Sequence, residues 1–143
     1  MTDTFKLMLA QLNPTVGAIA ANVARAKEAW ESGKAAGADM VALTEMFVTG
    51  YQTQDLILKP AFVSAAVAAI EALAVDCADG PALGIGGPVS LGGRLYNGYY
   101  VLEGGRVHAR VLKHHLPNDA VFDEKRVFAS ADVHGPYVVK GVR

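Results

Sequence analysis

The 143-residue sequence contains a single cysteine, Cys77. An internal disulfide framework is therefore excluded, and the composition fits a reducing compartment such as the cytoplasm. Net charge is nearly absent as well: 13 Lys and Arg stand against 14 Asp and Glu, a formal −1. Nucleic acid and acidic membrane surfaces, which call for a basic face, are not expected as partners. No uncharged apolar run approaches the roughly 20 residues that span a bilayer. The opening MTDTFKLMLAQLN lacks the basic region and long apolar run of a secretory leader. There is no internal repeat and no low-complexity linker. The glycines of Gly84-Ile85-Gly86-Gly87 and Gly92-Gly93 do not open a helix in the Gly-x-Gly-x-x-Gly pattern, so no dinucleotide or phosphate loop is expected. His108, His114, His115 and His134 have no cysteines at metal-ligand spacing and read as ordinary loop or surface histidines.

What the chain has in quantity is apolar residues, 52% against 19% charged, the balance of a core-forming domain. Phe5 to Leu12 is short, apolar and stopped by Asn13-Pro14, as expected of a buried first strand. Asn22 is placed to cap a helix running to Gly37, with Val23, Ala26 and Trp30 on its dry face and Arg25, Glu28 and Glu31 on its wet face. Met40 to Leu43 reads as a second strand, which predicts a parallel pair with a helical crossover. A second helix is expected over 61–78, with Val63, Ala66, Ile70, Leu73 and Cys77 in one apolar stripe. Leu83 to Val89 reads as a third strand. Tyr96 to Leu102 and Arg106 to Lys113 flank Gly104-Gly105 and predict an antiparallel hairpin. Val133 to Val139 is a further strand candidate, broken by Gly135-Pro136. The sum is an α/β domain with a mixed sheet. Such a sheet needs cover on both faces, and two helices are few for it. The 143 residues are therefore expected to be part of a larger domain, with exposed apolar sheet surface and a tendency to associate.

Three charged residues could carry chemistry. Glu45 follows the second strand, in Leu43-Thr44-Glu45-Met46-Phe47, and the crevice beyond strand C-termini is where open α/β sheets bind ligands. Partial desolvation there would make it a better general base; position alone leaves open a solvated loop glutamate. Lys113 continues the alternate positions Val107, Ala109 and Val111 of a strand. It is read either as a cation for a developing oxyanion or as a strand-end lysine reaching solvent. Glu124, in Phe122-Asp123-Glu124-Lys125-Arg126, could hold the Lys113 ammonium and tune proton transfer, or simply sit at a helix's first turn. Cys77 falls on the apolar stripe of the second helix and reads as a small core residue, not a nucleophile.

Together these residues resemble the nitrilase, or carbon-nitrogen hydrolase, superfamily. The resemblance rests on the Ala10-Gln11-Leu12-Asn13-Pro14-Thr15-Val16-Gly17 opening with Asn22, and on Gly37-Ala38-Asp39 leading to Glu45. It also rests on the run Lys113-His114-His115-Leu116-Pro117-Asn118 through Val121-Phe122-Asp123-Glu124. That last run, with Thr49-Gly50-Tyr51 and Asp55-Leu56, is similar to bacterial glutamine-dependent NAD synthetases in particular. The resemblance implies a four-layer α-β-β-α sandwich, of which residues 1–143 form the N-terminal portion. It implies a Glu-Lys-Cys triad with Glu45 as general base, Lys113 as oxyanion stabiliser and Glu124 as support, and Tyr51 and Phe122 beside the substrate. The substrate would be glutamine. The released ammonia would serve amidation of deamido-NAD in a separate synthetase domain that uses ATP and Mg; no cofactor and no metal are implied within residues 1–143. A cytoplasmic homo-oligomer is also implied. The family's cysteine lies in a segment beyond Arg143, so these residues alone are expected to be inactive. Another nitrilase-type amidase, or a catalytically silent binding module on this fold, remains open at this point.

Overall fold

The computed structural model describes residues 4–133 and 135–143; the candidate His134 lies outside them. Five strands form one mixed sheet in the order of the chain: β1 Leu7–Leu9, β2 Met40–Ala42, β3 Ala82–Leu91, β4 Arg94–Glu103 and β5 Arg106–Leu112. β1, β2 and β3 are parallel, while β3–β4 and β4–β5 are antiparallel hairpins. Both hairpins turn on a glycine pair with positive φ, at 57° and 74° in Gly92-Gly93 and 61° and 82° in Gly104-Gly105. Two-residue turns of this hand match the twist of the strands they join.

Helices α1, Ile19–Ala35, and α2, Pro60–Asp76, lie on one face of the sheet. Proline opens α2 where a missing N–H does no harm. The expected α2 stripe is buried throughout, from Val63 to Cys77. It packs on Leu83, Ile85, Tyr100 and Leu102 beneath it. Each such side chain taken fully out of water contributes roughly 1.5–3 kcal/mol. From α1, Ala26 and Trp30 enter the same core, and Trp30 Nε1 donates to Pro81 O at 2.8 Å. The other sheet face is less covered: Leu7 is 49% and Leu9 70% exposed. This is an α/β arrangement of two layers.

Four expectations are corrected. Asn22 does not cap α1; the helix begins three residues earlier with no side-chain cap. Buried instead, Asn22 accepts from Thr15 N at 2.8 Å and donates to Thr15 O at 2.8 Å and Val48 O at 3.0 Å. It thereby clamps the loop after β1 to the loop after β2. β1 spans only Leu7–Leu9 rather than Phe5 to Leu12; Ala10 N still donates to Ala42 O at 2.9 Å, and beyond it the chain leaves the sheet for the loop that Asn22 clamps. The strand candidate over 133–139 does not form among the described residues; Val139 only bridges to Val142, as Gly135-Pro136 interrupts the run. Lastly, Val107 does not share a face with Ala109, Val111 and Lys113. Val101 pairs with Ala109 but Leu102 pairs with Val107, so His108 is an extra residue in β5. Such a bulge reverses facing across it. Val107 joins the helix-covered core and Lys113 belongs to the opposite face.

Candidate active site

The loop after β2 crosses the less covered sheet face and places Glu45 there. Its descent depends on Gly86, where a Cβ would stand 2.2 Å from Met46 N and 2.6 Å from the Glu45 carbonyl carbon. Leu43 N donates to Gly84 O at 2.8 Å and Val48 N to Gly86 O at 3.1 Å, which pins the loop at both ends. Lys113 follows β5 directly, and its N–H donates to Asn97 O in β4 at 2.9 Å. The C-terminal ends of β2, β3 and β5 thus meet at one end of the sheet, the position expected for a ligand crevice.

Glu124 is brought in by a second, smaller core. Phe128 packs with Met46, Ile57 and Val63. Its N–H donates to Glu124 O at 2.8 Å, and Glu124 N donates to Pro117 O at 3.2 Å. At the surface Arg126 reaches Asp55 at 2.6 Å and Asp123 at 3.0 Å. These contacts fold residues 114–128 back over the sheet end.

The three expected residues converge. Lys113 Nζ lies 2.8 Å from Glu45 Oε1 and 3.2 Å from Glu124 Oε1. Burial lowers the lysine's affinity for its proton, but hydrogen bonds and charge from Glu45 and Glu124 outweigh it, so the ammonium is held above its ordinary range. Glu124 is only 4% exposed. Its Oε1 also accepts from the Tyr51 hydroxyl, while its Oε2 is buried without a protein donor among the described residues. Burial first, then Glu124, pushes the Tyr51 phenol above its ordinary range, so Tyr51 is a neutral donor at working pH. Glu45 is only partly withdrawn from solvent, its side chain 44% exposed. It lines an open pocket of about 510 Å³, together with Lys113, Tyr51, Phe122, Pro117 and Thr44. Tyr51 and Phe122 stand with ring centroids 6.1 Å apart. Cys77 is far from this chemistry in role: it is 3% exposed within the helix-side core, and burial pushes its thiol up to about 11.

The carbon-nitrogen hydrolase family profile matches residues 6–142. The chain belongs to that family. It is 62% identical over 136 residues to the glutamine-dependent NAD(+) synthetase of Rhodobacter capsulatus, covering 95% of this chain and 25% of that protein. A crystal structure of a glutamine-dependent NAD(+) synthetase from Cytophaga hutchinsonii superposes with a TM-score of 0.86 at 27% identity, covering 98% of this chain and 24% of that one. The nitrilase-type fold extends to an amidase from Nesterenkonia sp., with a TM-score of 0.78 at 21% identity over 97% of this chain and 52% of that one. This chain spans about a quarter of the length of the synthetases it matches.

Two residues of this carbon-nitrogen hydrolase domain escape sequence reading. Asn97 is 2% exposed and donates through Nδ2 to Glu45 Oε1 at 2.6 Å. Gly86 allows the Glu45 loop to lie on the sheet. A polar residue inside the apolar run of β4, Tyr96 to Leu102, is the one signal that could have drawn attention to Asn97. Nothing local marks Gly86 out from its neighbours.

Proposed function

We propose that these residues form the acid–base part of a thiol-dependent glutamine amidohydrolase, within a protein that uses the released ammonia to amidate deamido-NAD. The carrying observation is the convergence of Glu45 and Glu124 on the Lys113 ammonium, with Glu45 and Lys113 lining one open pocket. The choice of glutamine and of the synthetase reaction rests on likeness to the NAD(+) synthetases, to which this chain corresponds over about a quarter of their length.

The chemistry that fits the arrangement is nucleophilic catalysis by an activated thiol. Cys77 is the sole cysteine in the sequence, and it is buried elsewhere, so the thiol comes from outside these 143 residues. Glu45 takes the S–H proton and the thiolate attacks the side-chain amide carbon. The carbonyl π electrons move to oxygen, where the Lys113 ammonium stabilises the negative charge. Glu45 returns the proton to the amide nitrogen, the C–N bond breaks and ammonia leaves. Water, deprotonated by Glu45, attacks the thioester, releasing glutamate and the thiol. Glu124 and Tyr51 keep Lys113 in place and charged. Among the described residues no group of three or more His, Cys, Asp or Glu side chains is arranged for a metal ion. ATP and Mg are assigned, in this reading, to the synthetase part of the longer protein by likeness to the NAD(+) synthetases, and no step above runs through them.

The test is Glu45→Gln in the intact protein. Ammonia release from glutamine should fall by roughly 100-fold or more, the contribution of a positioned acid–base group, while NAD formation from added ammonium persists. Equal loss of both activities would assign Glu45 to structure and overturn the reading.

A further inference from the structure

Resting on that reading, we infer that Asn97 is a positioning residue for Glu45: its amide locks one carboxylate oxygen and leaves the other as the proton acceptor. The two oxygens of Glu45 are not equivalent. Oε1 accepts from Asn97 Nδ2 at 2.6 Å and from Lys113 Nζ at 2.8 Å, and two such donors occupy the lone pairs available in the carboxylate plane. Oε2 makes no hydrogen bond among the described residues and belongs to a side chain that opens on the pocket. Proton transfer is thus directed to Oε2, on a carboxylate that cannot swing without losing both donors.

Asn97 is suited to this by its place in the sheet. It stands opposite Pro88 in β3, and its own carbonyl accepts the Lys113 N–H at 2.9 Å. One rigid strand residue therefore fixes the base through its side chain and the cation through its backbone. Lys113 alone could not do so, because a flexible ammonium donor moves with the carboxylate it pairs with. An amide held in a strand and almost wholly buried does not move. Reactions that need a near-attack geometry lose rate when a base is free to rotate.

The experiment uses the intact protein with Asn97→Leu, of similar volume but without a donor, and Asn97→Asp, of the same shape with an acceptor in its place. The expected result for both is a fall in glutamine-dependent kcat of roughly 10- to 100-fold, the effect of one hydrogen bond to a charged group. KM for glutamine should change by less than about 3-fold, since the amide meets the base and not the substrate. Alkylation of the site thiol by iodoacetamide should slow in parallel, and ammonium-supported synthesis should persist. Unchanged glutamine turnover in either variant overturns the inference. So does a joint collapse of glutamine- and ammonium-dependent activity with the melting transition, which makes Asn97 a folding residue. Should Glu45→Gln itself keep full turnover, the functional reading fails; should Glu45→Gln be dead while Asn97→Leu is normal, only the role of Asn97 fails.

Discussion

Lys113 is the residue on which the charge balance of the site turns. It faces two carboxylates, one of them almost fully buried, and its ammonium is the cation that bonds both. Removing one partner of a buried pair leaves an uncompensated charge, at a cost of about 3 kcal/mol or more. Lys113→Met is therefore expected to lower stability by that order as well as to abolish glutamine turnover. Its pH dependence has a definite sign. A lysine whose folded value is raised contributes stability that is fully present below the unfolded value of about 10.4 and is lost as pH rises through the folded one. The Tyr51 phenol, also raised, adds loss in the same alkaline window. Urea unfolding at stepped pH should show the wild type losing stability above about pH 10.4 more steeply than Lys113→Met. Parallel curves would mean that the ammonium bonds do not support the fold.

Among the elements, the loop from β2 to Tyr51 carries Glu45, the proposed base, and its shape is set by contacts far away in sequence. Gly86 in β3 leaves no room for a methyl group beneath Met46 and Glu45, and the obstructing atoms are backbone, which cannot rotate aside. Gly86→Ala should lift the loop from the sheet, lowering stability by about 1–3 kcal/mol as overpacked sites do and reducing glutamine turnover more than ammonium-driven synthesis. Calorimetry together with both assays checks this; a variant with wild-type melting and turnover would show that the loop tolerates displacement. The same loop shows where sequence reading succeeds and where it stops. The α2 stripe and the Gly104-Gly105 hairpin were legible because their physics is local: helical spacing in one case, positive φ in the other. Glu45 and Lys113 were legible as candidates because they follow strands whose apolar runs are visible. Asn22 looked like a cap because its residue type suits one, yet its actual partners, Thr15 and Val48, are set by tertiary approach. The displaced register at His108 likewise depends on pairing with β4, and alternation along β5 alone could not reveal it. Burial of Glu124 follows from Phe128 docking against Met46 and Ile57, a contact between segments about 70 to 80 residues apart in the chain.

At the scale of the molecule, helices cover one face of the sheet, and Glu45, Lys113 and Glu124, the proposed catalytic groups, occupy the end of the other. Leu7 and Leu9 lie in alternate register on that second face, opposite Met40 and Ala42, and they are among its most exposed large side chains, with Val111 38% exposed on β5. The four-layer sandwich that the family resemblance implies would set a second sheet against this face. Contiguous apolar surface on a sheet drives association when left uncovered, and β1 adds an unpaired edge to it. The 143-residue chain produced alone is therefore expected to bind an apolar dye and to sediment as a mixture of associated species. Leu9→Lys combined with Val111→Lys should reduce both, while shifting the unfolding free energy by no more than about 0.5 kcal/mol per site, as surface substitutions do. The same two changes in the intact protein should be far more damaging, since there each lysine would be forced between two apolar sheets without a partner. Analytical ultracentrifugation and thermal unfolding of both forms decide the matter. A monodisperse short chain without dye binding, or an intact double variant of undiminished stability, would show that this face does not serve as the contact between layers.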